Sequence, residues 1–267
     1  MAHGKKEVQI GEALVRMLRS GKGFAGVVIY KGKIAEKIEG EDDDDVWRRL
    51  CDVATRLNPL FIGYSSARAR FLHFFPGSFS SEAYIDRERA YKLTAKVTLD
   101  QAVPLSRAKN EAGFGERVLA AFRKVNLLAP FERMRVQDLL RGPDADEFVR
   151  LCAGFAEGDR TAIIKLKHLL KPHDCAKWTI ITYLPFLWRP EDHFFLKPQM
   201  VKTFAERVGH RFAQDYRADL HPDIYASLLD LAQEFQREIK DMGPRDMIDV
   251  QSFMWTAVEY KEEDLRV

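Results

Sequence analysis

Between Thr161 and Lys202 the chain reads TAIIKLKHLLKPHDCAKWTIITYLPFLWRPEDHFFLKPQMVK, and its lysines are the residues whose type and spacing most suggest chemistry. From Lys165 to Lys177 the cations are Lys165, Lys167, Lys171 and Lys177 and the acid is Asp174, a local excess of three positive charges. Helical periodicity runs to Leu170, Lys171-Pro172-His173-Asp174 reads as a short turn, and a second helix is expected from about Cys175. A basic helix pair with free N–H groups at the second N-terminus suits a grip on nucleic-acid phosphate by Lys165, Lys167, Lys171 and His173. Lys177 opens the second helix; desolvated beside Trp178 and near Lys171, it is a candidate amine nucleophile. The competing reading leaves Lys177 solvated at a helix end, with Trp178, Ile181 and Leu184 as a core stripe.

A second constellation, YSSARARFLHFF from Tyr64 to Phe75, interleaves basic and aromatic residues. Arg68 and Arg70 beside stackable rings suit a single strand or an extruded base, and Tyr64, Phe71 and Trp178 are the expected walls of a base pocket. Alternatively, Phe71, Phe74 and Phe75 are core and the arginines pair with carboxylates. His168, His173, Cys175 and His193 are zinc-binding types, but only His173 and Cys175 approach the spacing of a zinc knuckle, so no metal is expected. The chain has no GxGxxG, P-loop, GxSxG or HExxH, which leaves nucleotide-hydrolysing and serine-hydrolase functions without support; no cofactor is expected.

Over about residues 160–260 the sequence resembles the helix-hairpin-helix DNA glycosylase superfamily. The turn is followed by an apolar helix, WTIITYLPFL, a loop, WRPEDHFF, and a helix opening at LKPQMVKTFAERVG. By position, Lys177 matches the lysine that bifunctional members carry after the hairpin, and Lys197 falls near the place of the family's Asp. The lysine at that place is one departure. A turn without the family's two glycines is another, because glycine lets backbone amides close on a phosphate. The resemblance implies a mostly helical, DNA-acting protein that excises a base, with Lys177 as nucleophile. The departures point toward an unusual or modified base, such as one in invading phage DNA. The carboxylate that stabilises the sugar cation is then sought at Asp246 and Asp249, three apart at a helix start, or at Glu191 and Asp192 in the loop. Helix-start charge is the alternative account of Asp246 and Asp249. The rival function is a non-catalytic helical module that binds DNA or another protein through the same basic turn.

These residues need elements to position them. The 267 residues are 46% hydrophobic and 31% charged, which excludes fibrous and largely disordered classes. Forty-two Lys+Arg against 40 Asp+Glu leave a net charge of +2, so any attraction for DNA must be local. A charged, amphipathic start and the lack of an apolar run of bilayer length predict a cytoplasmic protein with no membrane partner. Cys51, Cys152 and Cys175, widely spaced, are expected to be reduced thiols.

Periodicity predicts a helix carrying Val46, Leu50, Val53, Ala54 and Leu57, and further helices over about 7–19, 82–101, 114–126, 131–141, 145–157, 160–170, 175–187, 198–208, 222–241 and 246–259. A lone β-hairpin is expected from Gly26 to Gly40 around Lys31-Gly32-Lys33, and the acids Glu41 to Asp45 read as N-terminal charge on the helix they precede. The polar, glycine-containing run SRAKNEAGFG from Ser106 to Gly115 suggests a boundary between a mixed region, 1–110, and an all-helical region, 111–267. The expected fold is therefore mostly α, a helical bundle with a helix-hairpin-helix element and one small N-terminal β-hairpin.

Overall fold

Period-two alternation of apolar side chains organises the first forty residues. In the computed structural model, which describes residues 6–124 and 127–266, β1 (Lys6–Ile10), β2 (Ala13–Ser20), β3 (Gly23–Tyr30) and β4 (Lys33–Gly40) form an antiparallel meander in the order β1-β2-β3-β4. The expected helix over 7–19 is thus two strands, and the expected hairpin is the second half of a four-stranded sheet. The EVQIGEALVRML sequence carries both periods at once: Ile10, Leu14 and Met17 fit a helix, while Ala13, Val15 and Met17 alternate. Strand pairing decides in favour of the second, because Val15 opposes Val28 and all three alternating residues are buried.

Lys31 and Gly32 both have positive φ, 49° and 75°, and join Tyr30 to its partner Lys33, the geometry of a type I′ two-residue turn. The inner face, with Ile10, Ala13, Val15, Met17, Val28 and Ile38, packs on Val46, Leu50 and Ala54 of α1 (Asp43–Arg56). At Gly26 this helix comes so close that an added Cβ would lie 2.2 Å from Leu50 Cδ1 and 2.7 Å from the Arg16 carbonyl. The acidic run does cap α1: the Asp45 N–H donates to Asp42 Oδ1 at 2.8 Å, and Asp43, Asp44 and Asp45 fill the first turn.

Beyond α1 the chain is helical between its turns. The elements are α2 (Gly63–Phe74), α3 (Glu82–Tyr84), α4 (Ala90–Ala102), α5 (Leu105–Ala108), α6 (Gly115–Lys124), α7 (Pro130–Arg141), α8 (Ala145–Ala156) and α9 (Ala162–Leu170). They continue as α10 (Trp178–Ile181), α11 (Tyr183–Trp188), α12 (Pro198–Val208), α13 (Phe212–Asp215), α14 (Pro222–Glu238) and α15 (Met247–Glu259). The fold is mostly helical with a small N-terminal antiparallel sheet. Residues 125 and 126 of the helix expected over 114–126 lie outside the described residues. Helix α2 was not expected, since its arginines and rings lack a clear apolar stripe. Among the described residues no helix is long and apolar enough to cross a membrane.

The chain falls into two compact units, one running to Ala67 and taking up Lys202–Tyr216, the other made of Arg68–Val201 and the residues from Arg217 onward. The Ser106–Gly115 run expected to separate domains lies inside the second unit. Within that unit, Ile85–Arg89 forms a π-turn between α3 and α4. The long helix expected from 175 is broken: residues 175–177 are not helical, and α10 and α11 are separated at Thr182. Pro185 has no N–H to offer the Ile181 carbonyl, and the Thr182 hydroxyl turns back to the Trp178 carbonyl at 2.6 Å.

Candidate functional site

Helix α7 begins with Pro130, whose fixed φ suits the first helical position, and places Glu132 in the first turn. There Glu132 is 8% exposed. The Ala129 N–H donates to its Oε2 at 3.0 Å and the Thr179 hydroxyl of α10 donates to its Oε1 at 2.9 Å, so the carboxylate is fixed from two elements. Lys177 precedes α10, and its Nζ lies 3.9 Å from Glu132 Oε1 and 4.3 Å from the centroid of the Phe131 ring. The side chain is 37% exposed, half-sheltered by the ring and the acid.

Lys197 stands in the segment before Pro198. The Leu196 N–H donates to Thr182 Oγ1 at 3.1 Å, which ties that segment to the break between α10 and α11. Lys197 Nζ stands 4.0 Å from the ring centroid of Trp255 on α15. Burial pushes the Lys197 amine below the ordinary lysine range, and the charges of Glu259 and Glu132 pull it partly back. Lys177 thus lies beside the buried Glu132 carboxylate, and Lys197 beside the Trp255 ring. Glu132 and Trp255 escaped the sequence reading: an acid in a first helical turn reads as a cap, and neither residue is near Lys177 along the chain.

The other expected site residues sit elsewhere. Asp246 caps α15, accepting from the N–H groups of Ile248 at 3.0 Å and Asp249 at 3.3 Å, and Arg89 grips its two oxygens at 2.8 and 2.7 Å. Asp249 is fully buried and takes Arg89 at 2.8 Å, the Tyr84 hydroxyl at 2.5 Å and the Arg245 backbone and side chain at 2.8 and 2.9 Å. Both acids hold α15 to the π-turn, and each of their oxygens already takes a donor. Asp192 and Glu191 both pair with Arg189, at 2.8 and 2.5 Å, on exposed side chains.

The basic patch is also largely neutralised by its own acids. Lys167 pairs with Asp219 at 2.5 Å, Lys165 lies 4.0 Å from Asp159, and His173 meets Asp144 at 2.7 Å. Asp174 pairs with Arg135 and adopts the left-handed backbone, φ 50°, that closes the turn after Lys171–His173. Lys171 is exposed, and its side chain forms no ion pair or hydrogen bond among the described residues.

Arg68 donates to both oxygens of Asp241, at 2.8 and 2.5 Å, and to the Glu238 carbonyl at 3.0 Å, while Arg70 donates to the carbonyls of Ala257, at 3.0 Å, and Tyr260. Both arginines fasten the part of α2 from Arg68 onward within the second unit. Phe71 is 0% exposed and stacks on Phe253 at 4.4 Å, and Trp178 is 2% exposed with its indole N–H on the Arg217 carbonyl at 3.0 Å. Tyr64 lies at the start of α2, half-buried. Phe71 and Trp178, expected as walls of a base pocket with Tyr64, are therefore core residues of the second unit. His193 is likewise internal, bonded to the Tyr225 hydroxyl and the Ala156 carbonyl at 2.9 and 3.1 Å.

A cavity of about 270 Å³ lies between α6 and α7, walled by Leu119, Phe122, Pro130 and Met134 with Arg123, Arg133 and Gln137. It includes neither Lys177 nor Glu132. Comparison of the chain with protein-family models, with curated proteins and with solved structures finds no match.

Proposed function

We propose that this chain is a DNA glycosylase-like protein that excises an unusual or modified base, with invading phage DNA as the source of substrate. The observation that carries the reading is the fixed carboxylate of Glu132 with Lys177 at 3.9 Å. Base excision through an amine needs a nucleophile for C1′ and a held negative charge for the cationic sugar, and this site supplies both types of group. Glu132 takes the place of Asp246, Asp249 and Asp192 in that role, because those acids are committed to Arg89, Arg245 and Arg189. In the same reading α9, the Lys171–Asp174 turn and α10 are the hairpin, Lys171 is the phosphate contact, and left-handed Asp174 stands where a glycine would.

The test is incubation of the protein with single- and double-stranded oligonucleotides carrying different modified bases, followed by alkaline cleavage of abasic sites. At least one base is expected to be released, and Glu132→Gln is expected to slow release by about 10²–10³-fold. No release from any of the oligonucleotides removes the reading.

The cavity between α6 and α7 favours a second reading, a non-catalytic helical module that binds DNA or another protein. Its apolar walls and two arginines lie apart from the Lys177 amine. Binding without base release, weakened by Arg133→Ala and indifferent to Glu132→Gln, is the result expected of such a module.

A further inference from the structure

We infer that the cavity between α6 and α7 is a binding site for a small carboxylic acid with a hydrocarbon body, the body seated against Leu119, Phe122, Pro130 and Met134 and the carboxylate held by Arg123 and Arg133. The inference rests on neither reading of function above, since Lys177 and Glu132 lie outside this cavity.

The hollow is built from the core outward. Leu119 and Phe122, three apart on α6, are each 2% exposed and form its floor. Phe122 is held there by the Tyr183 ring, stacked on it at 4.1 Å. Pro130 and Met134, four apart on α7, supply a second apolar wall, and Met134 is 64% exposed, so the hollow opens to solvent at this residue. Its volume is about 270 Å³. An apolar cavity of about 150 Å³ admits benzene, so this one has room for a body nearly twice that size, a chain of about eight to ten carbons.

Charge selects the head of the ligand. Of the arginines on α6 and α7, Arg135 and Arg141 pair with Asp174 and Glu116, and Arg117 lies over the Phe114 ring. The two that line the hollow have no carboxylate bonded to them among the described residues. Arg133 forms no hydrogen bond or ion pair, and Arg123 donates to the neutral amide oxygen of Gln137 at 3.0 Å. Glu116 acts on Arg123 only through space, being bonded to Arg141. Two like charges beside apolar walls favour an anion, and a planar guanidinium meets a carboxylate through parallel N–H donors.

The walls decide the body. Leu119, Phe122, Pro130 and Met134 have no side-chain group to pair with the polar edge of a base or a sugar, and the Gln137 oxygen is taken by Arg123. A nucleotide seated here would leave polar groups unpaired, whereas a hydrocarbon loses nothing. A docked partner helix needs anchors over two turns and roughly 800 Å² on each side, more than the lining of this hollow supplies.

The test is calorimetric titration of the full chain at neutral pH with the even-numbered acids from butanoate to dodecanoate, below their micelle-forming concentrations, and with octanol. Binding is expected to strengthen roughly fourfold per methylene and to level off at about ten carbons, where the hollow is full. Octanol is expected to bind roughly tenfold more weakly than octanoate, and Arg133→Gln to weaken octanoate by a similar factor. Arg133 bonds nothing in the protein, and circular dichroism checks folding. Met134→Glu, at an exposed position, places an acid at the opening and is expected to abolish octanoate binding while octanol still binds. No saturable binding of any acid overturns the inference, as does octanol binding as tightly as octanoate. Affinity that keeps rising to dodecanoate and is unchanged in both variants marks adsorption elsewhere and also overturns it. If the acids fail while a single-stranded oligonucleotide binds and Arg133→Gln weakens it, the inference is overturned and the cavity belongs to the DNA-binding module.

Discussion

Arg89 and Asp249 lie 160 positions apart in the chain and form a 2.8 Å ion pair in which Asp249 is completely buried. Tyr84, Asp246 and Arg245 complete the network, so every oxygen of Asp249 has a donor. Breaking a buried pair by removing one member leaves the other charge unpaired in a poorly solvating place, which costs about 3–5 kcal/mol. Arg89→Met is expected to lower the unfolding free energy by that amount, read from the urea midpoint. An unchanged midpoint would show that α15 is not held by this pair.

His193 gives folding a pH dependence of definite sign. Burial lowers its pKa from the ordinary 6.5, so the unfolded chain binds the proton more readily than the folded one. Its contribution is present above pH 6.5 and is lost as pH falls from there toward the folded value. Stability measured between about pH 7 and 5 should therefore decline less steeply in His193→Gln than in the parent. Parallel pH curves for the two chains count against a buried neutral His193.

The turn after α9 offers fewer phosphate contacts than its lysine count suggests. Lys165 and Lys167 face Asp159 and Asp219, and Lys171 alone is without an acid. If DNA binds here, Lys171→Ala should reduce the slope of log affinity against log salt by about 0.9, one phosphate contact. Replacing Lys165 and Lys167 as well should add less than another unit each. A triple variant with the parental slope places the DNA elsewhere.

Gly26 admits α1 to the sheet. A methyl group there meets Leu50 Cδ1 at 2.2 Å, which can shift, and the Arg16 carbonyl at 2.7 Å, which belongs to the paired strand. Gly26→Ala is expected to destabilise the sheet and α1 by about 1–3 kcal/mol. Hydrogen exchange at the β2 and β3 amides reads this directly, and undiminished protection contradicts the close approach.

The sequence alone determined the class of this protein and most of its helices, because a buried helical face repeats its apolar residues locally and Pro130, Pro222 and Asp246 mark helix starts within a few positions. It also marked the turn at Lys31-Gly32, whose two positive φ angles are a local demand. Tertiary structure decided what local pattern leaves ambiguous. Ala13, Val15 and Met17 became strand residues only through their pairing with β3. The same holds for charge: Arg68, Arg70, Lys167, Asp246 and Asp249 look free in the sequence and are bonded in the fold, by partners up to 190 positions away. Glu132 and Trp255 carry no mark along the chain. Glu132 meets Lys177, and Trp255 meets Lys197, only because the fold brings a carboxylate to one amine and a ring to the other, and a carboxylate or amine gains unusual properties from burial and neighbours, which are set by the fold.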